Sequence, residues 1–341
     1  MIREALLYET LKDKKVKCDL CGHHCVIKIN SRGKCGVREN QDGFLKTLAY
    51  GRLIAQHRDP IEKKPLFHLL PGSLSYSIAT VGCNFKCLFC QNSDIAHMPI
   101  NNQGMIMGEY SSPEEIVREA QRSGCKSISY TYTEPTVFFE FAFDTAKLAH
   151  ENGILNVFVT NGFMSGKALE MISPYLDAVN VDLKSFKEDF YKKYCGAKLR
   201  LVKERLLHMR SLGILVEVTT LIIPGLNDNS SEIKELATFL AESLGPETPW
   251  HISRFHPTYK LTNRPPTSFN SLLAARKIGL KAGLRYVYIG NVHGKNEENT
   301  LCHNCGELLI ERFGFTIGNN FIENGLCKYC KTKIYGVNMS G

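Results

Sequence analysis

The chain contains 341 residues, of which 43% are hydrophobic and 22% are charged. This balance is typical of a globular protein and excludes a disordered or fibrous chain. The formal net charge of +8 is spread along the sequence, so it gives no support for a nucleic-acid partner. No apolar run is long enough to cross a membrane, and the first residues lack the hydrophobic stretch of a secretion signal. We therefore expect a cytoplasmic protein without a membrane partner.

Cysteine is the most informative residue type, with 13 copies. Without a secretion signal, this number indicates metal or redox chemistry in a reducing compartment and argues against disulfides. All but Cys125 and Cys195 fall into three groups. Isolated cysteines are usually small buried side chains, so these two receive no predicted role.

The N-terminal segment, residues 1–72, is predicted to bind metal. It begins with a predicted amphipathic helix over Met1–Tyr8 and continues with a C-x2-C-x3-C-x9-C pattern that encloses two histidines. A segment this small and polar cannot bury enough apolar surface to fold without a stabilising cross-link such as a bound metal. Four thiolates suit tetrahedral zinc or a second iron–sulfur cluster, a histidine could replace one thiolate, and free thiols are the least favoured alternative. The candidate ligands are Cys18, Cys21, Cys25 and Cys35, with His23 and His24 between them.

The second cysteine group follows a short apolar run, Leu74–Val81, which predicts a buried strand. Cys83, Cys87 and Cys90 form a C-x3-C-x2-C pattern in the next loop, where parallel α/β folds bind their ligands. Three thiolates are one too few for a cubane iron–sulfur cluster, which leaves one iron open to an outside ligand. Three-quarters of a zinc site and free thiols are the alternatives.

Strands and helices alternate from this point onward. Repeated β-then-α units predict a parallel sheet, either an open partial barrel or a doubly wound sheet. Polar residues stand at the ends of five strands, as an active-site face requires. Helices are predicted at Pro113–Ser123, Phe138–Asn152 and Asp189–Leu212. Strands are predicted at Leu74–Val81, Ser127–Tyr132, Asn156–Thr160, Ala178–Asp182, Leu215–Ile223, His251–Phe255 and Tyr286–Ile289.

The cysteine triplet, with Phe89 before its last member, resembles the signature of radical S-adenosylmethionine (radical SAM) enzymes. The strand ends Thr160-Asn161-Gly162, Asp182-Leu183-Lys184 and Phe255-His256 resemble those of pyruvate formate-lyase activating enzyme. The whole chain is most similar to the AmmeMemoRadiSam-system enzymes of this family. The resemblance implies a partial (β/α)6 TIM-like barrel over residues 73–294, a 4Fe-4S cluster on the triplet and S-adenosyl-L-methionine bound at its open iron.

The resemblance also implies which residues bind S-adenosylmethionine. Glu134 stands where the family places a Gly-Gly-Glu carboxylate that receives the methionyl amino group. This chain has Tyr132-Thr133 in place of the two glycines, and Val159 where the activating enzymes have an aspartate. The other residues that match the family, around the methionyl or ribose end, are Asp182, Lys184 and His256, with Asn161 beside them.

The C-terminal tail, residues 295–341, carries the third cysteine group. Cys302, Cys305, Cys327 and Cys330 form two C-x2-C pairs, close to the spacing of a zinc ribbon. Residues 308–317 would supply the intervening strands. Zn²⁺ is the favoured metal, with a single iron or an auxiliary cluster as the alternative.

Three functions follow from these patterns. The first is a radical SAM enzyme in which reductive cleavage of S-adenosylmethionine gives a 5′-deoxyadenosyl radical that abstracts hydrogen from an unidentified substrate. The second is an activase that installs a glycyl radical on a partner enzyme. The third is a non-catalytic, metal-binding scaffold that docks partners. An enzyme would need an electron donor such as a flavodoxin or ferredoxin, and its substrate could be a protein.

Overall fold

An eight-stranded mixed sheet forms the centre of the computed structural model, which describes residues 2–292 and 296–340. The strand order across the sheet follows the order along the chain, without the reversal that defines a doubly wound sheet. β1 pairs antiparallel with β2, and every later pair is parallel. The strands are β1 (Ala55–Pro60), β2 (Leu74–Ala79), β3 (Ser127–Tyr130), β4 (Leu155–Thr160), β5 (Ala178–Asp182), β6 (Leu215–Ile222), β7 (Trp250–Arg254) and β8 (Val287–Gly290).

A helix lies in each crossover between consecutive parallel strands. Ser112 caps the first helix with a capping box: its hydroxyl accepts from the Glu115 amide, and the Glu115 carboxylate accepts from the Ser112 amide. The six helices are α1 (Pro113–Arg122), α2 (Phe139–Glu151), α3 (Gly166–Ile172), α4 (Leu199–Ser211), α5 (Ser230–Phe239) and α6 (Phe269–Lys281). Shorter helical turns lie at Lys12–Lys14, Ile61–Lys63, Ser93–Ala96, Met98–Asn101, Pro135–Phe138, Ser173–Tyr175, Glu188–Phe190, Tyr191–Cys195, Leu240–Leu244 and Asn296–Glu298.

Two of the predicted helices are wrong in whole or in part. The described part of the predicted helix Met1–Tyr8 forms no helix: strands occupy Arg3–Glu4 and Tyr8–Thr10, because these residues pair with distant strands and so short a helix is unstable alone. The helix predicted at Asp189–Leu212 is interrupted at Gly196, where φ is +69°. The seven predicted core strands all form, with ends that differ by a residue or two.

The two faces of the sheet differ in polarity. Because strand side chains alternate, Trp250 faces outward and packs on Gly279 of α6, where an added Cβ would lie 2.8 Å from the ring. The other face carries polar side chains that are nevertheless buried, including Ser75, Ser77, Asn180 and Glu217. A buried polar face is the kind of surface that surrounds a polar ligand or an internal hydrogen-bond network.

The N-terminal segment forms small antiparallel sheets that dock at the carboxyl ends of the core strands. The Gly22 amide donates to the Phe163 carbonyl at 2.9 Å, Cys21 and Met164 form an antiparallel bridge, and the Ser165 amide donates to Leu20. The loop after β4 therefore holds the N-terminal cysteines next to the face where ligands bind. The remaining strands of this layer are Val16–Cys18, Val26–Ile27, Arg38–Gln41, Phe44–Thr47 and Arg52–Leu53, which pairs with Glu109–Tyr110.

The tail packs at the opposite end, against the amino ends of the strands. Arg312 donates to the Phe67 carbonyl at 3.0 Å, and the Val337 amide donates to the His68 carbonyl. Its strands are Thr300–Leu301, Leu308–Phe313, Thr316–Asn320, Ile322–Glu323 and Leu326–Cys327. The predicted boundary between core and tail, at residues 294 and 295, lies outside the described residues. No described helix combines the length and the apolar character that crossing a bilayer requires.

Candidate active site

The cysteine triplet occupies the loop after β2, at the carboxyl end of the sheet. This loop passes close to the N-terminal segment at Gly82, where φ is +103° and an added Cβ would lie 2.7 Å from the Val37 side chain and 3.1 Å from the Cys35 carbonyl. Glycine is the residue that tolerates both the conformation and the close approach. The Phe85 amide donates to the Cys83 sulfur at 3.4 Å, which is the kind of bond that stabilises a ligating thiolate.

The spacing of the triplet does not suit a single metal ion. Among the residues that the structure describes, only the tail cysteines bring three or more ligand atoms within 4.8 Å of one another. In a cubane cluster each thiolate binds a different iron, so the sulfurs stand further apart than around one ion. The wider spacing of Cys83, Cys87 and Cys90 therefore fits a cluster better than three-quarters of a zinc site.

Glu134 lies at the end of β3, 2% exposed, with a carboxylate that accepts four hydrogen bonds. Oε1 accepts from the Thr136 amide at 3.1 Å, the Thr136 hydroxyl at 2.5 Å and the Thr160 hydroxyl at 2.7 Å. Among the described residues, Oε2 accepts from the Asn161 amide alone, at 2.8 Å, which leaves this oxygen able to receive another donor. Burial raises the pKa of Glu134, and these donors oppose that rise.

Asn161 connects the end of β4 to the cysteine loop. Its Nδ2 donates to Asn84 Oδ1 at 2.7 Å and lies 4.0 Å from the Cys83 sulfur, while its Oδ1 accepts from the Phe163 amide. Asn161 therefore contacts both of the other predicted residues at this edge, Glu134 and Cys83.

Lys184 and Asp182 lie beside the second cysteine. Lys184 Nζ donates to Asp182 Oδ2 at 2.9 Å and stands 5.9 Å from the centre of the Phe89 ring. Burial lowers the pKa of Lys184, but the Asp182 carboxylate and the thiols of Cys87 and Cys195 raise it by more, so the net shift is upward. Lys184 is thus a fixed positive charge next to the cysteine loop.

The remaining predicted residue, His256, is exposed just beyond β7. Within the described part of the chain it makes no side-chain hydrogen bond to the residues above. Its role stays a prediction.

Tyr132 occupies a position where the activating enzymes have glycine, and it adopts φ of +61°. A tyrosine is rarely found in this conformation, so something must hold it. Its hydroxyl donates to Asp59, its ring lies 4.5 Å from Lys64 Nζ, and its carbonyl accepts from Asn92 at 2.8 Å. The backbone bend that glycine would provide is present and is stabilised by side-chain contacts.

Sequence reasoning missed Cys195. The cysteine loop is hydrogen-bonded to the turn that contains Cys195. The Lys86 amide donates to the Cys195 carbonyl at 2.8 Å, and the Leu88 amide donates to the Tyr194 carbonyl. The Cys195 side chain lies on this turn beside Cys87, and its influence lowers the pKa of the Cys87 thiol. No local pattern signals this contact, because the two cysteines are distant in sequence.

The two terminal cysteine groups differ in spacing. In the tail, Cys302 and Cys330 have sulfurs 3.6 Å apart, and Cys305 and Cys327 have sulfurs 3.8 Å apart. Four thiolates about 2.3 Å from one tetrahedral ion stand about 3.8 Å apart, so the tail group fits a single metal ion. The N-terminal cysteines line a common pocket at wider spacing.

Comparison with known proteins identifies the class. The Radical SAM superfamily pattern matches residues 77–240. The chain belongs to the radical SAM enzymes, in the group that resembles pyruvate formate-lyase activating enzyme. Because the chain belongs to a class of enzymes, the third predicted function, a non-catalytic scaffold, is not retained.

Individual relatives are similar over different lengths. The uncharacterized protein MJ0808 of Methanocaldococcus jannaschii is 49% identical over 98% of this chain and 99% of its own length. Pyruvate formate-lyase-activating enzyme of Clostridium pasteurianum is 27% identical over 47% of this chain and 66% of its own length. A crystal structure of Streptococcus suis SuiB bound to precursor peptide SuiA has a TM-score of 0.50 and 15% identity, covering 68% of this chain and 52% of SuiB, which supports the fold alone.

Proposed function

We propose that this enzyme holds a 4Fe-4S cluster on Cys83, Cys87 and Cys90 and cleaves S-adenosylmethionine reductively at its open iron. The chemistry that the cluster supplies is one electron, which gives methionine and a 5′-deoxyadenosyl radical that abstracts hydrogen from a substrate. The observation that carries the proposal is the position of Asn161, whose backbone amide donates to Glu134 while its side chain contacts Cys83 and Asn84 of the cysteine loop.

The protein would bind S-adenosylmethionine through groups of opposite charge. Glu134 Oε2, which has one partner in the structure, would accept from the methionyl ammonium. Lys184 would approach the carboxylate or the ribose, with Asp182 holding its ammonium in place. Buried Phe89 beside Lys184 would exclude water from the cysteine loop. His256 is assigned to the ribose end on the family resemblance.

The fold proposal is a partial (β/α)6 barrel of the AmmeMemoRadiSam type. Seven parallel strands in chain order, joined by six helical crossovers, support it, because this order curls a sheet in one direction. In the tail we propose Zn²⁺, since four thiolates at tetrahedral spacing form a closed structural site.

The test is product formation. Protein reconstituted anaerobically with iron and sulfide is mixed with dithionite and S-adenosylmethionine, and 5′-deoxyadenosine is quantified by mass spectrometry. The proposal predicts at least one molecule of 5′-deoxyadenosine per wild-type chain, and none above background in Cys83→Ala. Cys125→Ala is the matched control, because Cys125 lies far from the triplet along the chain and bonds to Ser123. Equal background levels in the wild type and Cys83→Ala would contradict the proposal.

A second candidate is glycyl radical activation. The names of several relatives favour it: the 24% identical MJ1632 of M. jannaschii is described as a putative glycyl-radical enzyme activating enzyme. Such an activity would need a protein substrate and a flavodoxin- or ferredoxin-type donor. Electron paramagnetic resonance of a candidate partner after co-incubation would show a glycyl radical doublet. No doublet on any partner, with 5′-deoxyadenosine still formed, would favour a different substrate.

A further inference from the structure

The N-terminal cysteines form an enclosed site that the proposed chemistry does not use. Cys18, Cys21, Cys25 and Cys35 all line one pocket of about 370 Å³ including its mouth. Because all four side chains line the same pocket, the four thiols face one space.

We propose that this pocket binds a second 4Fe-4S cluster, ligated by all four of these cysteines. The alternative is zinc, and the same chain provides the comparison. The tail sulfurs approach to 3.6 and 3.8 Å, as one tetrahedral ion requires. No three ligand atoms of the N-terminal group, all within the described range 2–292, come within 4.8 Å of one another. A cubane spaces its four thiolates in this wider way, because each binds a different iron.

A buried cation faces the same pocket. Arg38 is 1% exposed, and its Nη1 donates to the Cys18 sulfur at 3.0 Å. Its Nη2 donates to the Leu6 carbonyl and to the Glu140 carboxylate, while its buried Nε finds no hydrogen-bond partner in the part of the chain that the structure describes. Glu140 balances the charge of this guanidinium, so its contribution to a cluster would be the N–H donor to the Cys18 sulfur, which helps set the potential.

The pocket shares a wall with the proposed active site. Asn84 lines the pocket, follows Cys83 directly in the chain, and its carbonyl contacts His23 Nε2 at 2.7 Å. On the other side its Oδ1 accepts from Asn161. The pocket is also lined by Thr136, whose hydroxyl donates to Glu134. The second cluster would therefore lie next to the first.

Four protein ligands define what this cluster can do. All its irons would be ligated, so it would not bind S-adenosylmethionine or substrate at iron. Its chemistry would be limited to gaining and losing single electrons. This inference concerns a different set of cysteines from the proposed function, so each can fail without the other.

Metal analysis of full-length protein tests it without altering the pocket. After anaerobic reconstitution we expect about eight iron atoms per wild-type chain and about four in a Cys83→Ala/Cys87→Ala/Cys90→Ala triple variant, each with about one zinc. Less than one iron with about two zinc atoms in the triple variant would overturn the proposal. The tail zinc reports that the variant is folded.

Spectroscopy of the triple variant provides the second readout. The proposal predicts the electron paramagnetic resonance signal of a reduced 4Fe-4S cluster that S-adenosylmethionine does not change. A Cys25→Ala substitution in the wild type should remove about four iron atoms, while Cys125→Ala should remove none. A signal that shifts with S-adenosylmethionine, or full iron retention in Cys25→Ala, would contradict four-cysteine ligation.

Discussion

The side-chain amide of Asn161 lies 4.0 Å from the sulfur of Cys83. This contact joins the end of β4 to the cysteine loop after β2. The backbone amide of Asn161, which donates to Glu134, therefore lies close to the first cysteine of the triplet at the sheet edge. The predictions below follow from the groups around this point.

Glu134→Gln should weaken S-adenosylmethionine binding. The substitution removes the charge that would pair with the ligand ammonium, an interaction of about 1.5–3 kcal/mol, or roughly ten- to a hundredfold in Kd. Isothermal titration of the reconstituted protein measures this, with iron content as the check that the cluster is intact. An unchanged Kd at full iron content would remove Glu134 from the binding site.

Cys195→Ala should lower the midpoint potential of the triplet cluster. Backbone hydrogen bonds hold the turn that contains Cys195 against the cysteine loop, and Cys195 lowers the pKa of Cys87. A thiol that donates to a ligating sulfur would stabilise the more negative, reduced cluster. A redox titration followed by electron paramagnetic resonance measures the shift, which should be tens of millivolts. Cys125→Ala removes a thiol elsewhere and should leave the potential where it is; equal potentials in both variants would refute the contact's role.

Tyr132→Phe should destabilise the fold without changing the backbone. It keeps the ring over Lys64 and removes the hydroxyl that donates to buried Asp59. Loss of a bond to a buried charged group costs about 1–3 kcal/mol. Chemical denaturation measures the free energy of unfolding, with exposed Tyr110→Phe as the control. Equal stability of the two variants would show that the Asp59 bond does not hold the positive φ.

Stability should fall as the pH drops from about 6.5 to about 4, because of His68. Burial lowers the pKa of His68 to about 4; the Glu217 charge and the Tyr335 carbonyl oppose that shift, while Arg312 and His251 add to it. Between pH 6.5 and pH 4 the unfolded chain therefore binds a proton at His68 that the folded chain does not. The stability that neutral His68 contributes is complete above pH 6.5 and is lost progressively below it. The loss amounts to about 3 kcal/mol at pH 4.

The comparison that isolates this effect is between variants. Free energies of unfolding of wild type, His68→Gln and exposed His150→Gln are measured from pH 6.5 to pH 5. Burial raises the pKa of Glu217, but His251 and His68 lower it by more, so Glu217 also loses stability as the pH falls. The His251 contact and the amide of residue 68 that donates to Glu217 are present in all three proteins. The free energy of unfolding should change less steeply with pH in His68→Gln than in the wild type or in His150→Gln. Parallel curves would assign the acid sensitivity to other groups.

Local signals were enough to predict much of this molecule. Apolar runs predicted all seven parallel strands, because each run lies within a few residues. The cysteine spacing predicted the metal-binding loop after β2, while Glu134, Asp182 and Lys184 came from the family resemblance and their roles stay predictions. Arg38 and Cys195 were not predicted, since their roles come from contacts between distant segments. The helix predicted at Met1–Tyr8 was wrong, because residues 3–4 and 8–10 pair with strands that a local pattern does not report.

The most direct test of the central claim is whether S-adenosylmethionine bonds to iron held by Cys83, Cys87 and Cys90. Electron–nuclear double resonance of the reduced protein, with the methionyl amino nitrogen isotopically labelled, detects that bond. We expect a nitrogen coupling in the wild type that the Glu134→Gln variant weakens and the triple cysteine variant abolishes. A wild-type cluster without any coupling to the labelled nitrogen would contradict the account.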